Sequence, residues 1–274
     1  MTARRFGDWF FRLLFPVVLT GVVIYSLLNQ PALISSPEIR DRFAQAGHAH
    51  GFLDDGSPAK SGWPDGLPSP LAEALRTAFG PRMPRAESFY YFGVARQRWG
   101  ELWLPAGFET VLVPARGFTT RTALTAFGFR TRLWESGLND KGGWFKVNGR
   151  DGVVEETSLF SAWWLEQAAL LLPLARADLT WIKEGPGRLS ADLGQGRKLV
   201  LDFDQRGDQA RLAQAALGDH SLRTQAWNMF GNYRLPSVLA GSWGQTGLVR
   251  TNIQALVLNP PFAAKALNQA AGEG

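Results

Sequence analysis

The feature that most constrains this chain is a long uncharged segment near its start. No Lys, Arg, Asp or Glu occurs between Arg12 and Glu38, and residues 13–28 are almost wholly apolar. About 20 such residues, as a helix, cross a hydrocarbon core of about 30 Å. The segment predicts a transmembrane helix over residues 13–30. The residues that we expect to form this anchor and its borders are Trp9, Phe10, Phe11, Arg12, Leu13, Tyr25 and Leu28.

The charges on either side of this segment predict its orientation. Arg4, Arg5 and Arg12 precede it, and the first basic residue after it is Arg40. The positive-inside rule places residues 1–12 in the cytoplasm and the rest in the periplasm. A cleavable signal peptide has the same charged start and apolar middle, but residues 29–34 lack a clear small-x-small cleavage site. We therefore expect an uncleaved signal-anchor in the inner membrane, with the lipid bilayer as a partner.

Composition limits the chemistry that is available to the chain. It has no cysteine, which excludes disulfides, thiolate metal sites and cysteine nucleophiles. Its 11 Trp and 18 Phe provide large side chains for packing. A net charge of +5 favours anionic headgroups or an acidic partner over nucleic acid, although an ordinary Arg-rich surface gives the same value. We expect no nucleic-acid partner.

The pattern along the rest of the chain predicts one β-rich domain after a linker. Residues 31–68 are rich in Pro, Gly, Ser and Asp, which is typical of an extracytoplasmic linker. An apolar stripe predicts a short helix over residues 70–79, ended by Gly80 and Pro81. From residue 87 a period of two, broken by turn signals, predicts an antiparallel meander. We expect a periplasmic domain over residues 69–260 and a C-terminal tail over residues 261–274.

One strongly apolar helix interrupts the strands, at residues 159–172. It is too short to span a bilayer and too apolar to face water, so other elements must cover it. The expected fold class is therefore α+β. It has one N-terminal transmembrane helix, followed by a mostly antiparallel, curved, half-barrel-like sheet that packs around this apolar helix.

From about residue 67 to residue 260, short motifs occur in an order that resembles an uncharacterised bacterial family, catalogued only as a domain of unknown function. The matching motifs are Leu67-Pro68, Phe92-Gly93-Val94-Ala95-Arg96, Trp103-Leu104-Pro105, Gly117-Phe118, Glu166, Leu172-Pro173, Asp178-Leu179-Thr180-Trp181, Leu201-Asp202-Phe203-Asp204, Trp227, Gly231-Asn232-Tyr233-Arg234-Leu235-Pro236, Trp243 and Arg250-Thr251-Asn252-Ile253. That family is similar at fold level to the LolA-type periplasmic lipoprotein carriers, in which a curved antiparallel sheet surrounds an apolar helical plug. The resemblance implies lipid handling.

A curved sheet with an apolar helical lid is the kind of site that takes acyl chains. We therefore predict a non-catalytic, membrane-anchored periplasmic domain that binds a hydrophobic or lipid ligand. A sheet face filled solidly by side chains would exclude this hypothesis. The predicted ligand-binding residues are Trp163, Trp164, Leu171, Phe92 and Trp181. The alternative for each is that it only fills the core.

A second hypothesis belongs to another class of protein. The chain is then an accessory subunit that stabilises a larger inner-membrane complex, respiratory or photosynthetic, with other integral membrane subunits as partners. The linker, the basic charge and the many Trp residues suit this alternative.

Catalytic and metal-binding patterns are absent from the sequence. It has neither a Gly-x-Ser-x-Gly motif nor a phosphate-binding loop. His48 and His50 lie in the linker without further ligands, and an enzyme built on Asp202, Asp204 or His220 is a third hypothesis with no motif behind it. We expect no enzyme, no metal and no cofactor.

Overall fold

The structure is a computed structural model that describes residues 16–21, 51–53, 62–99, 102–126, 129–153, 155–175, 178–206, 209–242 and 248–270. Fourteen strands in this part of the chain form one sheet. They are β1 Gly51–Leu53, β2 Phe89–Trp99, β3 Leu102–Val113, β4 Gly117–Ala126, β5 Phe129–Asn139, β6 Gly142–Val147, β7 Arg150–Asp151, β8 Trp181–Gly185, β9 Arg188–Asp192, β10 Lys198–Arg206, β11 Gln209–Leu217, β12 His220–Phe230, β13 Tyr233–Ser242 and β14 Leu248–Leu258.

Helices are few beside this sheet. Residues 16–21 are helical, and three longer helices follow along the described chain. They are α1 Ser69–Phe79, α2 Glu156–Leu170 and α3 Ala263–Ala270, and a short 3-10 turn, Leu172–Ala175, follows α2.

The sheet consists of two wings that meet at the last strand. Its order is β7-β6-β5-β4-β3-β2-β14-β13-β12-β11-β10-β9-β8. The first wing, β2 to β7, runs outward from the centre, and the second wing, β8 to β13, returns from the other edge. β14 joins them by pairing antiparallel with both β2 and β13. β1 pairs with the end of β14 in parallel, so residues 51–53 belong to the sheet although they lie in the range expected to be a linker.

The sheet curves around α2. This helix contacts β3, β5 and β6 in the first wing and β11, β12 and β13 in the second. In a flat sheet, β5 and β11 would lie about 34 Å apart, because neighbouring strands are about 4.8 Å apart. A helix with its side chains is only about 10–12 Å across. Both wings reach the same helix only because the sheet is strongly curved.

The inner face of the sheet and the two helices on it form the main core. α2 is apolar on all sides, as expected for a helix that is surrounded by protein. α1 lies on β10, β11 and β13 and closes the same core. The fully buried leucines of this core include Leu71, Leu75, Leu112, Leu159, Leu165, Leu171, Leu172, Leu174, Leu189, Leu199 and Leu201.

A smaller apolar cluster lies on the outer face, where α3 packs on β3, β4 and β5. Its buried members are Tyr90, Phe92, Val111, Ala255 and Ala263. The ring of Phe262 meets that of Tyr90 edge-on at 5.3 Å between centroids. β2 is therefore covered on both faces at this end.

The predicted fold class, α+β with a transmembrane helix, is wrong. One large, open antiparallel sheet dominates the described chain, with few helices beside it, so the fold is β-rich. No helix in the part that the structure describes is both long and apolar enough to cross a bilayer. The anchor residues Trp9, Phe10, Phe11, Arg12, Leu13, Tyr25 and Leu28 lie outside the described residues.

Candidate ligand groove

An open groove of about 740 Å³ lies where the two wings approach each other. We call it the mouth groove. It is lined by the β5–β6 turn (residues 138–142), the β9–β10 turn (residues 193–197) and the first turn of α2 at Glu156, Thr157 and Phe160. Its volume lies within the range of about 300–1,000 Å³ that is typical of small-molecule sites.

The twist of the sheet explains why these two turns meet. The register shows that they lie at opposite ends of the strands: the β5–β6 turn is beside the β3–β4 turn, whereas the β9–β10 turn is beside the β11–β12 turn. Eight strand-to-strand steps separate β5 from β10. At about 20–25° for each step, the sheet turns by roughly half a revolution over that distance. Opposite ends of the two wings thereby come together above α2.

The groove combines an apolar floor with a charged rim. Leu138, Phe160 and Leu193 are half-buried there. The Arg197 guanidinium lies 4.2 Å from the centre of the Phe160 ring, a cation–π contact, and its Nη2 also donates to Gln195. Both signs of charge occur around this floor, from Asp140, Lys141, Glu156 and Arg197. The arrangement suits a molecule with one apolar and one polar part.

Trp163 and Trp164 extend the apolar floor along α2. Their rings lie 6.2 and 6.4 Å from that of Phe160, and 5.6 Å from each other, between centroids. Both indoles are half-buried, and neither Nε1 has a hydrogen-bond partner among the described residues. An aromatic surface of three rings therefore adjoins the mouth groove.

The other predicted ligand-binding residues lie elsewhere. Phe92 points to the outer face and packs in the smaller cluster with α3. Leu171 is fully buried directly after α2, and Trp181 packs half-buried against the core from the edge strand β8. The structure thus brings Trp163 and Trp164 together and separates them from Phe92, while the role of each in ligand binding stays a prediction.

The space between α2 and the sheet is almost filled. It contains one small cavity of about 40 Å³, room for a few water molecules at most. Polar side chains line much of it, including Tyr91, Thr122, Glu166 and Thr251. The Tyr91 hydroxyl donates to Glu166, and burial, then the charge of Glu166, raises the pKa of Tyr91 well above its ordinary value. An acyl chain does not fit inside this cavity.

The candidate residues of the enzyme hypothesis lie on two strands, Asp202 and Asp204 on β10 and His220 at the start of β12. Asp202 Oδ1 lies 3.6 Å from Arg188 Nε on the outer face. His220 pairs with Leu217, and Leu217 pairs with Leu199 near the start of β10. His220 therefore lies beside the start of β10, whereas Asp204 lies near its end. In the described part of the chain, no group of three His, Cys, Asp or Glu side chains is arranged to hold a metal ion. The expectation that the protein is not an enzyme stays a prediction.

None of the predicted ligand-binding residues lines the mouth groove itself, so sequence reasoning missed its lining, including Phe160 and Arg197. Phe160 carried a weak signal, because it lies in the apolar run of α2. Arg197 carried none, since it lies in a Gly-rich turn that contacts α2 only in the folded sheet.

The chain is similar to solved structures of two kinds. A DUF1329 family protein from Desulfovibrio piger aligns at 10% identity with a TM-score of 0.47, covering 75% of this chain and 98% of the other. A LolA superfamily protein from Nitrosomonas europaea aligns at 11% identity with a TM-score of 0.43, covering 70% and 93%. No family model and no curated protein matches the sequence. The resemblance stated from the motifs is confirmed, and the ligand must be inferred from the chain's own residues.

Proposed function

We propose that this domain is a non-catalytic binding domain for an amphiphile with an anionic headgroup, and that the mouth groove is the site. The observation that carries the proposal is an apolar floor at Phe160 with an arginine already stacked on it. Sites of this kind bind apolar ligands through area and orient them through a few polar groups.

Arg197 is the group that would hold the headgroup. Its guanidinium is positioned by the Phe160 ring and by Gln195, so little conformational entropy is lost when it binds a carboxylate or phosphate. Charge-assisted hydrogen bonds of this type are roughly twice as strong as neutral ones. The apolar chain would then lie over Phe160, toward Trp163 and Trp164.

The mouth, and not the interior, is the proposed site because of the available volume. The groove measures about 740 Å³ and the inner cavity about 40 Å³. To admit a chain more deeply, α2 would have to leave the fully buried contacts of Leu159 and Leu165. Binding at the mouth leaves those contacts intact.

The test uses the full chain with two fluorescent probes of equal chain length, one ending in a carboxylate and the other in an alcohol. We expect Arg197→Gln to weaken binding of the acid by about tenfold, since hydrogen bonds to charged groups contribute about 1.5–3 kcal/mol. Binding of the alcohol should change little. Phe160→Ala should weaken binding of both probes, because it removes the floor.

Lys183→Gln is the matched control, because Lys183 is exposed on β8 outside the groove. Equal affinities for both probes in every variant would contradict the proposal.

Gentle extraction followed by mass spectrometry separates the proposed binding function from the accessory-subunit alternative. A stoichiometric amphiphile without protein partners supports the groove, whereas stoichiometric membrane subunits without an amphiphile contradict it. The periplasmic location stays a prediction.

A further inference from the structure

The mouth groove contains charged side chains of both signs. Two acidic residues, Asp140 and Glu156, and two basic residues, Lys141 and Arg197, line it. Because acidic and basic residues are equal in number here, long-range attraction favours neither a net anion nor a net cation. The charge of the preferred ligand is therefore decided by the groups that it contacts directly.

Glu156 lies close to the aromatic ring on which Arg197 stacks. It precedes Phe160 by four residues in α2, so the two side chains share one face of the helix, with about 5–6 Å between their Cβ atoms. The Arg197 guanidinium lies 4.2 Å from the centre of the Phe160 ring. A carboxylate and a guanidinium thus lie near the same side chain, within one groove.

These two opposite charges do not pair with each other. Among the residues that the structure describes, the carboxylate of Glu156 forms neither an ion pair nor a hydrogen bond. Arg197 is held instead by the Phe160 ring and by Gln195, and its guanidinium keeps further N–H donors beyond the one that Gln195 uses. The groove therefore holds a carboxylate and a guanidinium apart, and each is able to bind a ligand group.

The preceding residue, Glu155, shows what a glutamate at this end of the helix does without the groove. It lies at the N-cap of α2, and its Oε2 accepts a hydrogen bond from Ser158 Oγ at 3.4 Å. Both glutamates interact favourably with the helix dipole. Only Glu156 lines the mouth groove, so Glu155 is a matched control for the charge of this helix end.

We infer that the mouth groove selects a headgroup in which an anionic group is joined to a primary ammonium by a short linker, with Arg197 binding the anion and Glu156 the ammonium. The inference rests on the proposed function, to which it adds the second charge of the headgroup. An ammonium donates charge-assisted hydrogen bonds to a carboxylate, and an anion accepts them from the guanidinium. Such a headgroup carries both signs of charge, as the groove does.

The test compares how the full chain binds two single-chain phospholipids with the same acyl chain, one ending in phosphate and the other in phosphoethanolamine. We expect Glu156→Gln to weaken binding of the phosphoethanolamine lipid by about fivefold, a modest loss because Glu156 is exposed. Binding of the phosphate lipid should not weaken, since that lipid has no ammonium. Glu155→Gln removes the same charge one residue away and should leave both affinities unchanged. Equal losses for the two lipids, or the same loss in Glu155→Gln, would overturn the inference.

Two further measurements test the ammonium contact itself. A phosphocholine lipid of the same chain length carries a positive charge without an N–H donor, so Glu156→Gln should weaken its binding less; an equal loss would overturn the preference for a primary ammonium. Glu156→Lys should strengthen binding of the phosphate lipid while weakening that of the phosphoethanolamine lipid. A misfolded variant does not gain affinity, so a change of the same sign for both lipids would contradict the assigned contact.

Arg197→Gln separates this inference from the proposed function. It should weaken binding of both the phosphate and the phosphoethanolamine lipid, because both present an anionic group to the guanidinium. No effect of Arg197→Gln would contradict the proposed function and the inference together. A loss in Arg197→Gln with unchanged binding in Glu156→Gln would leave the anion site in place and would overturn only the selection of an ammonium.

Discussion

Two consecutive tyrosines show how differently the two faces of the sheet are built. Tyr91 points inward and donates to Glu166 of α2, whereas Tyr90 points outward and donates to Glu109 of β3 at 2.9 Å. The outer carboxylate also faces Arg121 at 3.6 Å, and Arg121 lies 2.9 Å from Glu135. Among the described residues that line the small cavity beside the inner pair, none is an arginine, lysine or histidine.

The comparison shows where polar groups are tolerated in this fold. On the outer face, a tyrosine and a carboxylate belong to a network that reaches solvent through half-exposed Arg121. On the inner face, the same two groups lie in the core, where a polar group costs free energy unless it is hydrogen-bonded. Burial, ahead of the neighbouring carboxylate, raises the pKa of both tyrosines, so both stay protonated at ordinary pH.

The largest expected effect is a loss of stability when the close packing of side chains on the inner face is disrupted. Leu165 is fully buried on α2 between the wings. Leu165→Ala should lower the free energy of unfolding by about 2–5 kcal/mol, because the cavity left behind cannot collapse fully. Urea denaturation gives the value, and Ile182→Ala on the exposed outer face should change it by less than about 0.5 kcal/mol. Similar losses of unfolding free energy in the two variants would contradict the view that the inner face is closely packed and the outer face is not.

The two tyrosines themselves provide the next test. Tyr91→Phe leaves a buried carboxylate without one of its donors and should cost about 1–3 kcal/mol of unfolding free energy. Tyr90→Phe should cost less, because Arg121 still faces Glu109. Both substitutions remove one hydroxyl from neighbouring positions of β2, so each is the control of the other. Equal losses of unfolding free energy, measured by urea denaturation, would show that the hydrogen bond of the inner pair stabilises the fold no more than that of the outer pair.

Local patterns predicted the helices and much of the strand sequence. The helix expected over residues 70–79 is α1, Ser69–Phe79, and the apolar helix expected over residues 159–172 overlaps α2, Glu156–Leu170. Both depend on spacing within one segment. The start of β2 is apolar at consecutive positions and is covered on both faces, so Tyr90, Tyr91 and Phe92 are all buried.

Long-range features escaped sequence reasoning for physical reasons. Phe92 was grouped with Trp163, but the two-residue period of β2 places it beside Tyr90, under α3. The pairing of β14 with β2 joins residues that are 152 (Val249 and Gln97) to 169 (Leu258 and Phe89) positions apart, and it leaves no local signal. The mouth groove depends on the cumulative twist of eight strand steps, which no motif encodes.

The smallest expected effect concerns the pKa of Glu184 on β8, whose carboxylate faces Lys198 and Arg188. The hydrogen bond from Lys198, ahead of that from Ser190, holds the pKa of Glu184 below its ordinary value of 4.5. A carboxyl group whose pKa is lower in the folded state stabilises the fold at pH values above its ordinary pKa. This contribution is lost as the pH falls through the lowered pKa. Because the group is exposed and screened by solvent, the change should be slight.

Carboxyl NMR titration of Glu184 measures the effect directly, with Lys198→Gln as the comparison. We expect the pKa to rise toward 4.5 in the variant, since the first cause of the shift is removed. An unchanged pKa would mean that Ser190 and Arg188 lower it without any contribution from Lys198. The ion pair between Lys198 and Glu184 would then have no measurable effect on the ionisation of this carboxylate.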